Sequence, residues 1–316
     1  MAIVDKAKII KNLEQGAERL SCAGFIQRLS TLERDTLFTE ACFDRIHRKS
    51  QFIDRIFQET QDWNETFYRM LFRAIDISFN RGAYEELAKK IPYHIILRTG
   101  RTYKSVEALI FGTSGFLGTF DDNDDYIRTL KEEYNYLAHK FELSPMRVTM
   151  WTTKNVRPYN HPILRLSQLV GFLSREEFVM NNILDCRTVR DVEELFCVSA
   201  SEFWCKHYAT TPSDDAKIVS IGREKAHLLG INLVAQLQIC YSRHNQNEDL
   251  SNRAISLLYA LPAENNTYTR HWESHNIKSH NALESQALIQ LSSEYCAHKR
   301  CNECPVAGFL LSHANK

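Results

Sequence analysis

An all-α fold, an irregular multi-helix array with short loops, is what this sequence predicts. Three observations carry it. Apolar residues recur at three- and four-residue spacing in several long segments. Alternating strand-like runs bounded by turn pairs are scarce. Only 11 Gly and 7 Pro occur in 316 residues, too few for a turn-rich β protein.

Taken in order, Ser30 and Glu33 have capping-box spacing and open a helix running to about Gln58. Phe43, Ile46, Ile53, Ile56 and Phe57 would form its apolar face. Asn64 would cap a second helix through Phe79. Asp124 or Asp125 opens a third, with Ile127, Leu130, Tyr134 and Leu137 along one side. Leu283, Ala287, Leu288, Leu291 and Tyr295 make a similar stripe near the end. Loops are expected at 112–125, 154–162, 209–215 and 263–280. No sustained repeat or low-complexity tract appears. The expectation is a single helical domain over 1–316, with a subdivision near 155–165 as the alternative.

Charge excludes some partners and leaves others open. Lys+Arg and Asp+Glu balance at 39 each, so no global positive field draws nucleic acid, although a local patch would. No run reaches the roughly 18 apolar residues of a membrane helix; the best stretch, 227–241, is broken by Asn232, Gln236 and Gln238. The N-terminal residues are charged and amphipathic, without the apolar stretch of a secretion signal, so a cytoplasmic location is expected. A disulfide framework is then not expected from the nine cysteines.

Six cysteines are scattered, and buried free cysteine is common. Three are not: Cys296-x4-Cys301-x2-Cys304-Pro305 puts three thiols within 296–304. Cys296 should end a helix, Cys301 and Cys304 should occupy a turn, and Pro305 should start a final helix. That places Cys304 at a helix N-terminus, which favours thiolate. A metal site needs a fourth ligand. His313 would complete a zinc site of three thiolates and one imidazole. Cys22, distant in sequence, would complete an all-thiolate set for zinc or an iron–sulfur cluster. His298 is also close in sequence. The alternative is three reduced thiols that bind nothing.

Two further patterns bear on nucleic acid. The bend Arg157-Pro158-Tyr159-Asn160-His161-Pro162 leads into a segment carrying Arg165 and Gln168. These polar groups would contact phosphates, or would tie the bend to its neighbours; the second reading is favoured. A basic and aromatic stretch holds Tyr93, Arg98, Arg101, Tyr103 and Lys104, which suits a surface tracking a nucleic-acid backbone. A solvated helix end gives the same letters. Arg98, Arg101, Lys104, Arg157 and Arg165 are the candidate contacts.

Other patterns are weaker. Asp121-Asp122-Asn123-Asp124-Asp125 lacks EF-hand spacing and reads as acidic residues at a helix N-terminus. Gly112-Thr113-Ser114-Gly115 is neither a nucleophile elbow nor a phosphate loop. His271, His275 and His280 have loose ligand-like spacing and read as surface histidines. Glu264, Asn265 and Asn266, with Trp272, suit a polar helix junction. No catalytic set emerges.

The ordered motifs carry a resemblance. Asp44-Arg45-Ile46-His47-Arg48-Lys49, Asp62-Trp63-Asn64-Glu65-Thr66-Phe67-Tyr68, Glu107-Ala108-Leu109-Ile110-Phe111-Gly112, Arg157-Pro158-x-Asn160-x-Pro162, Pro262-Ala263-Glu264-Asn265, Ser285-Gln286-Ala287-Leu288-Ile289 and Tyr295-Cys296…Cys301-x2-Cys304 follow one another through most of the chain. In this order they resemble the bacterial family called domain of unknown function 2851. Thr113-Ser114, Tyr159 and His161 depart from its usual pattern. The resemblance implies no established activity. It does imply that longer members carry an N-terminal β-rich, nuclease-like segment with no counterpart here. Two function classes follow. One is a non-enzymatic helical binding or accessory module, stapled by a Cys-ligated metal or cluster, that works with a protein partner or nucleic acid. The other is an accessory subunit of a nuclease-like DNA-processing protein, with catalysis supplied by another chain.

Overall fold

The computed structural model describes residues 6–76, 79–157, 160–175, 179–207 and 220–313, without the side chains of Glu18 and Cys205. The loop expected at 209–215, and Pro158 and Tyr159 of the proline bend, lie outside the described residues. Among those described, the fold is all-α; the one β feature is an isolated bridge between Ser199 and Ser220.

The helices are α1 (Lys6–Gln15), α2 (Ala23–Arg28), α3 (Thr31–Thr60), α4 (Trp63–Ile75), α5 (Arg81–Lys90), α6 (Tyr93–Arg98), α7 (Tyr103–Thr113), α8 (Asp125–Phe141) and α9 (Pro162–Arg175). They continue as α10 (Val179–Asp185), α11 (Val189–Phe196), α12 (Glu202–Lys206), α13 (Arg223–Leu229), α14 (Ala235–His244), α15 (Glu248–Ala260), α16 (Thr267–Glu273), α17 (Ala282–Gln290) and α18 (Pro305–His313). Two π-helical segments interrupt the pattern: Gly230–Val234 before α14, and Leu291–Cys296 after α17. Among the described residues no helix is long and apolar enough to cross a membrane.

The chain divides into two compact units. A terminal unit comprises Met1–Phe52 and Ile239–Lys316, and a central unit comprises Ile53–Gln238.

In the terminal unit, α3 begins where the sequence places it. Ser30 N–H donates to Glu33 Oε2 at 2.9 Å and Glu33 N–H donates to Ser30 Oγ at 3.3 Å, closing the capping box. The buried face of 31–52 is Leu37, Phe38, Ala41, Cys42 and Ile46. Phe43, expected on that face, is 41% exposed because it sits one position past the stripe. Leu283, Ala287, Leu288 and Leu291 are buried as the spacing requires. Each such side chain contributes roughly 1.5–3 kcal/mol by leaving water. The loop expected at 263–280 contains α16, because Asn266 and Thr269 form a capping box and Trp272 is fully buried. The Trp272 indole N–H lies 3.1 Å from Leu288 O and 2.8 Å from Ser292 Oγ, so it is satisfied inside the core.

In the central unit, Asp62 caps α4 rather than Asn64, whose N–H donates to Asp62 Oδ1 at 2.8 Å. That helix ends at Ile75, short of Phe79. Asp124 caps α8, and Ile127, Leu130, Tyr134 and Leu137 are buried together. Gly112 on α7 lies under the Tyr134 ring of α8, where a Cβ would overlap the ring atoms. Glu107, 1% exposed, accepts hydrogen bonds from Tyr126 Oη, Trp204 Nε1 at 2.6 Å and Ser201 Oγ at 3.4 Å. Burial pushes its carboxyl above the usual range, and those three donors oppose the rise.

Candidate functional site

The four sequence-selected cysteines belong to the terminal unit, and local backbone explains each position. Cys22 is the N-cap of α2, following a turn in which Leu20 adopts φ 47°. Cys296 closes the π-helical segment, where Ala297 N–H donates to Ser292 O at 2.9 Å. The wider turn ends the helix, as the sequence implies. Lys299, at φ 52°, reverses the chain, and Arg300 N–H reaches back to Tyr295 O at 2.9 Å. Cys301 opens a 3-10 turn, Cys301–Glu303, and Cys304 ends it with its N–H on Cys301 O at 3.2 Å. Pro305 then starts α18, needing no amide hydrogen at that position.

These turns bring Cys22, Cys296, Cys301 and Cys304 to the wall of one cavity of about 20 Å³. Leu13, Ala17, Val306 and Ala307 supply its apolar wall, and Tyr295 and Ser21 complete it. That volume holds about one water-sized occupant. All four thiols are free and half-buried. Burial pushes Cys22 up to about 12, helped by the neighbouring Cys304. Burial also pushes Cys304 up to about 11, against the backbone N–H groups of Val306 and Ala307 at the start of α18. Cys296 and Cys301 are raised as well, again chiefly by burial. Among the described residues no three His, Cys, Asp or Glu side chains already form a group able to hold an ion. The thiols therefore wall a cavity and do not yet form a coordination polyhedron.

His313 is placed elsewhere. Its Nε2 lies 2.8 Å from Glu33 Oε1 and its Nδ1 lies 2.8 Å from Phe309 O, which ties α18 to the start of α3. His298 is exposed. Asp44 and Tyr295 stand in the sequence motifs with no role assigned at the site; the Tyr295 hydroxyl donates to Asp44 Oδ2 at 2.7 Å beside the thiols. The adjacency of Tyr295 to Cys296 was the available signal. The Arg300 guanidinium lies 5.8 Å from the Tyr295 ring centroid, a cation–π distance that holds the ring in place.

The same unit holds a second polar cluster. Arg45 Nε donates to Gln286 Oε1 at 2.7 Å, and Gln286 Nε2 donates to Glu264 Oε2 at 2.8 Å. Arg48 reaches Gln290 at 3.2 Å and Glu294 at 3.1 Å. Lys49 lies among them, and its ammonium is pushed down to about 7 by burial first and by Arg45 second. Arg45, Glu264 and Gln286 come from three separate sequence motifs, which this network brings to one place.

The candidate nucleic-acid contacts lie in the central unit and are dispersed in role. Arg98, Lys104 and Arg157 are exposed, Lys104 with Glu133 at 3.9 Å, and Arg101 is half-buried at φ 53°. Arg165 is buried, donating to Gln168 Oε1 and Asn160 Oδ1, each at 2.9 Å. Its guanidinium holds the proline bend to α9, the structural reading of that motif. His271 is exposed and His275 half-buried, their rings 5.0 Å apart edge to face.

Fold and site together define an all-helical protein with a four-thiol cavity and no recognisable catalytic set among the described residues. The chain belongs to the family described as "Protein of unknown function (DUF2851)", whose model matches residues 3–267. Cys22 and the central unit lie inside the matched span, and Cys296, Cys301 and Cys304 lie beyond it. No curated protein and no solved structure matches the chain.

Proposed function

We propose that this chain is a helical scaffold module stapled by a metal at Cys22, Cys296, Cys301 and Cys304. The observation that supports it is the meeting of Cys22 with three thiols from the far end of the chain around one small cavity. Four thiolates suit zinc or an iron–sulfur cluster. A cavity of about 20 Å³ suits a single ion better than a cluster, whose entry would require the apolar wall to move. Zinc is therefore the better fit. The ion would displace four thiol protons and draw the sulfurs inward. It would link the α1–α2 turn to the segment before α18, so its binding free energy would become folding free energy. The role is non-enzymatic: the staple fixes the terminal unit as a platform for a partner.

Zinc-edge X-ray absorption on the full chain, purified without oxygen, tests this reading. A shell of four sulfurs at about 2.3 Å is expected. A nitrogen in the shell would replace Cys22 by an imidazole and contradict the ligand set. A chain purified without any metal would overturn the proposal.

A further inference from the structure

The central unit contains a second cavity, of about 780 Å³, within the range of small-molecule sites. Three motifs that the thiol site leaves unexplained converge on it. The first is the Gly112–Gly115 turn. Gly115 takes φ 87°, where a Cβ would strike the Met146 carbonyl, and the Trp151 indole N–H bonds to Ser114 O at 2.9 Å. This fixed turn delivers Phe116, Thr119 and Phe120 to the cavity wall. The second is the acidic run, which contributes Asp121 and Asp124. Asp124 caps α8 through Oδ1 alone, so its other oxygen is left to accept. The third is the proline bend, which contributes His161, with Thr153 and Lys154 just ahead of it.

The opposite contribution is aromatic. Phe203 of α12 and His207, which caps that helix, line the cavity. Their rings stack at 4.1 Å and 11°, and Tyr126 stacks on Phe203 at 4.2 Å and 20°. Phe203 is therefore covered on both faces, and the cavity offers the rings of His207 and Phe120, carboxylates able to accept from amino groups, and a lysine ammonium. Burial lowers His161 to about 4, so its imidazole is neutral near pH 7 and adds no charge.

We propose that this cavity binds a nucleotide, the base stacked on the Phe120 and His207 rings, its amino edge on Asp121 and Asp124, and its phosphate on Lys154. Stacking on aromatic rings accepts any base, and a single ammonium adds phosphate recognition without sequence selectivity. The same chemistry is presented by a free mononucleotide and by one nucleotide of a single strand. This site is independent of the metal reading.

The test titrates the full chain with AMP, adenosine, inorganic phosphate and a single-stranded DNA hexamer by calorimetry. AMP should bind five- to tenfold more tightly than adenosine. Lys154→Ala should bring AMP to the adenosine level and leave adenosine unchanged. Phe120→Ala should weaken both at least tenfold, and His207→Ala is the second ring variant should Phe120→Ala lower the melting temperature. A hexamer that binds more tightly than AMP, with the same response to both variants, assigns the site to a single strand. Equal binding assigns it to the free nucleotide. No binding at millimolar ligand, adenosine and AMP binding alike, or binding unchanged in Lys154→Ala and the ring variants, would each overturn the proposal.

Discussion

Cys22 and Cys304, from opposite ends of the chain, line the same cavity in the terminal unit, close enough for the Cys304 thiolate to raise the cost of ionising Cys22. Nothing local in the sequence couples them. The turn after α1 and the turn before α18 do so only because α1 packs against Cys301–Glu303.

If a metal bridges these turns, Cys301→Ser should lower the melting temperature by roughly 5 °C or more, taking a few kcal/mol at the usual entropy for a chain of this size. Chelator-treated wild type should melt with the variant. Differential scanning calorimetry reads both, and an unchanged midpoint in the variant would count against the staple.

Gly112→Ala should destabilise the central unit. The added methyl overlaps the Tyr134 ring, and overpacking of this kind costs about 1–3 kcal/mol. Urea unfolding measures it. Gly82→Ala, where the new Cβ meets nothing, should be neutral or slightly stabilising and serves as the control.

Trp204→Phe should cost about 1–3 kcal/mol, because Glu107 would stay buried with one donor fewer. The Phe111–Trp204 stack, 3.9 Å between centroids, is kept in kind by the phenyl ring, so most of the loss would report the hydrogen bond. Pairing it with Glu107→Leu, which leaves no acceptor, in a double-mutant cycle measures that coupling. Additive effects would show that the indole N–H contributes little.

Lys49 predicts a pH dependence with a definite sign. Its folded pKa of about 7 lies below the ordinary 10.5, so between these values the unfolded chain binds more protons. Stability should therefore rise with pH across that window. Cys42, raised to about 12 by burial, works in the opposite direction only above pH 9. Melting temperature should climb from pH 7 to 9 in the wild type and flatten in Lys49→Met. A wild-type profile that is flat or falling there would refute this account of the Arg45–Lys49–Glu264 cluster.

Much of the fold was legible because its signals are local. The Ser30–Glu33 box, the Asp124 cap, the stripe from Leu283 to Leu291 and the break at Cys296 each need only a few neighbouring residues. What escaped depends on partners elsewhere. Phe43 has an apolar side chain, yet it sits one position past the buried stripe of α3 and stays 41% exposed. The helix at Thr267–Glu273 looked like loop until Trp272 found Leu288 and Ser292. The extra residue of the Leu291–Cys296 turn leaves no mark on apolar spacing. For the site, three thiols are visible as spacing, whereas the fourth ligand, Cys22 with His313 as the alternative and His298 close in sequence, has no local signal. In the fold Cys22 lines the cavity with the three thiols and His313 pairs with Glu33.

The most direct measurement is the metal content per chain, by elemental analysis after purification without oxygen, for the wild type and for Cys22→Ser and His313→Ala. The account predicts one zinc per wild-type chain, near-complete loss in Cys22→Ser and full retention in His313→Ala. A metal-free wild type, or a metal that survives Cys22→Ser and leaves with His313→Ala, would contradict it.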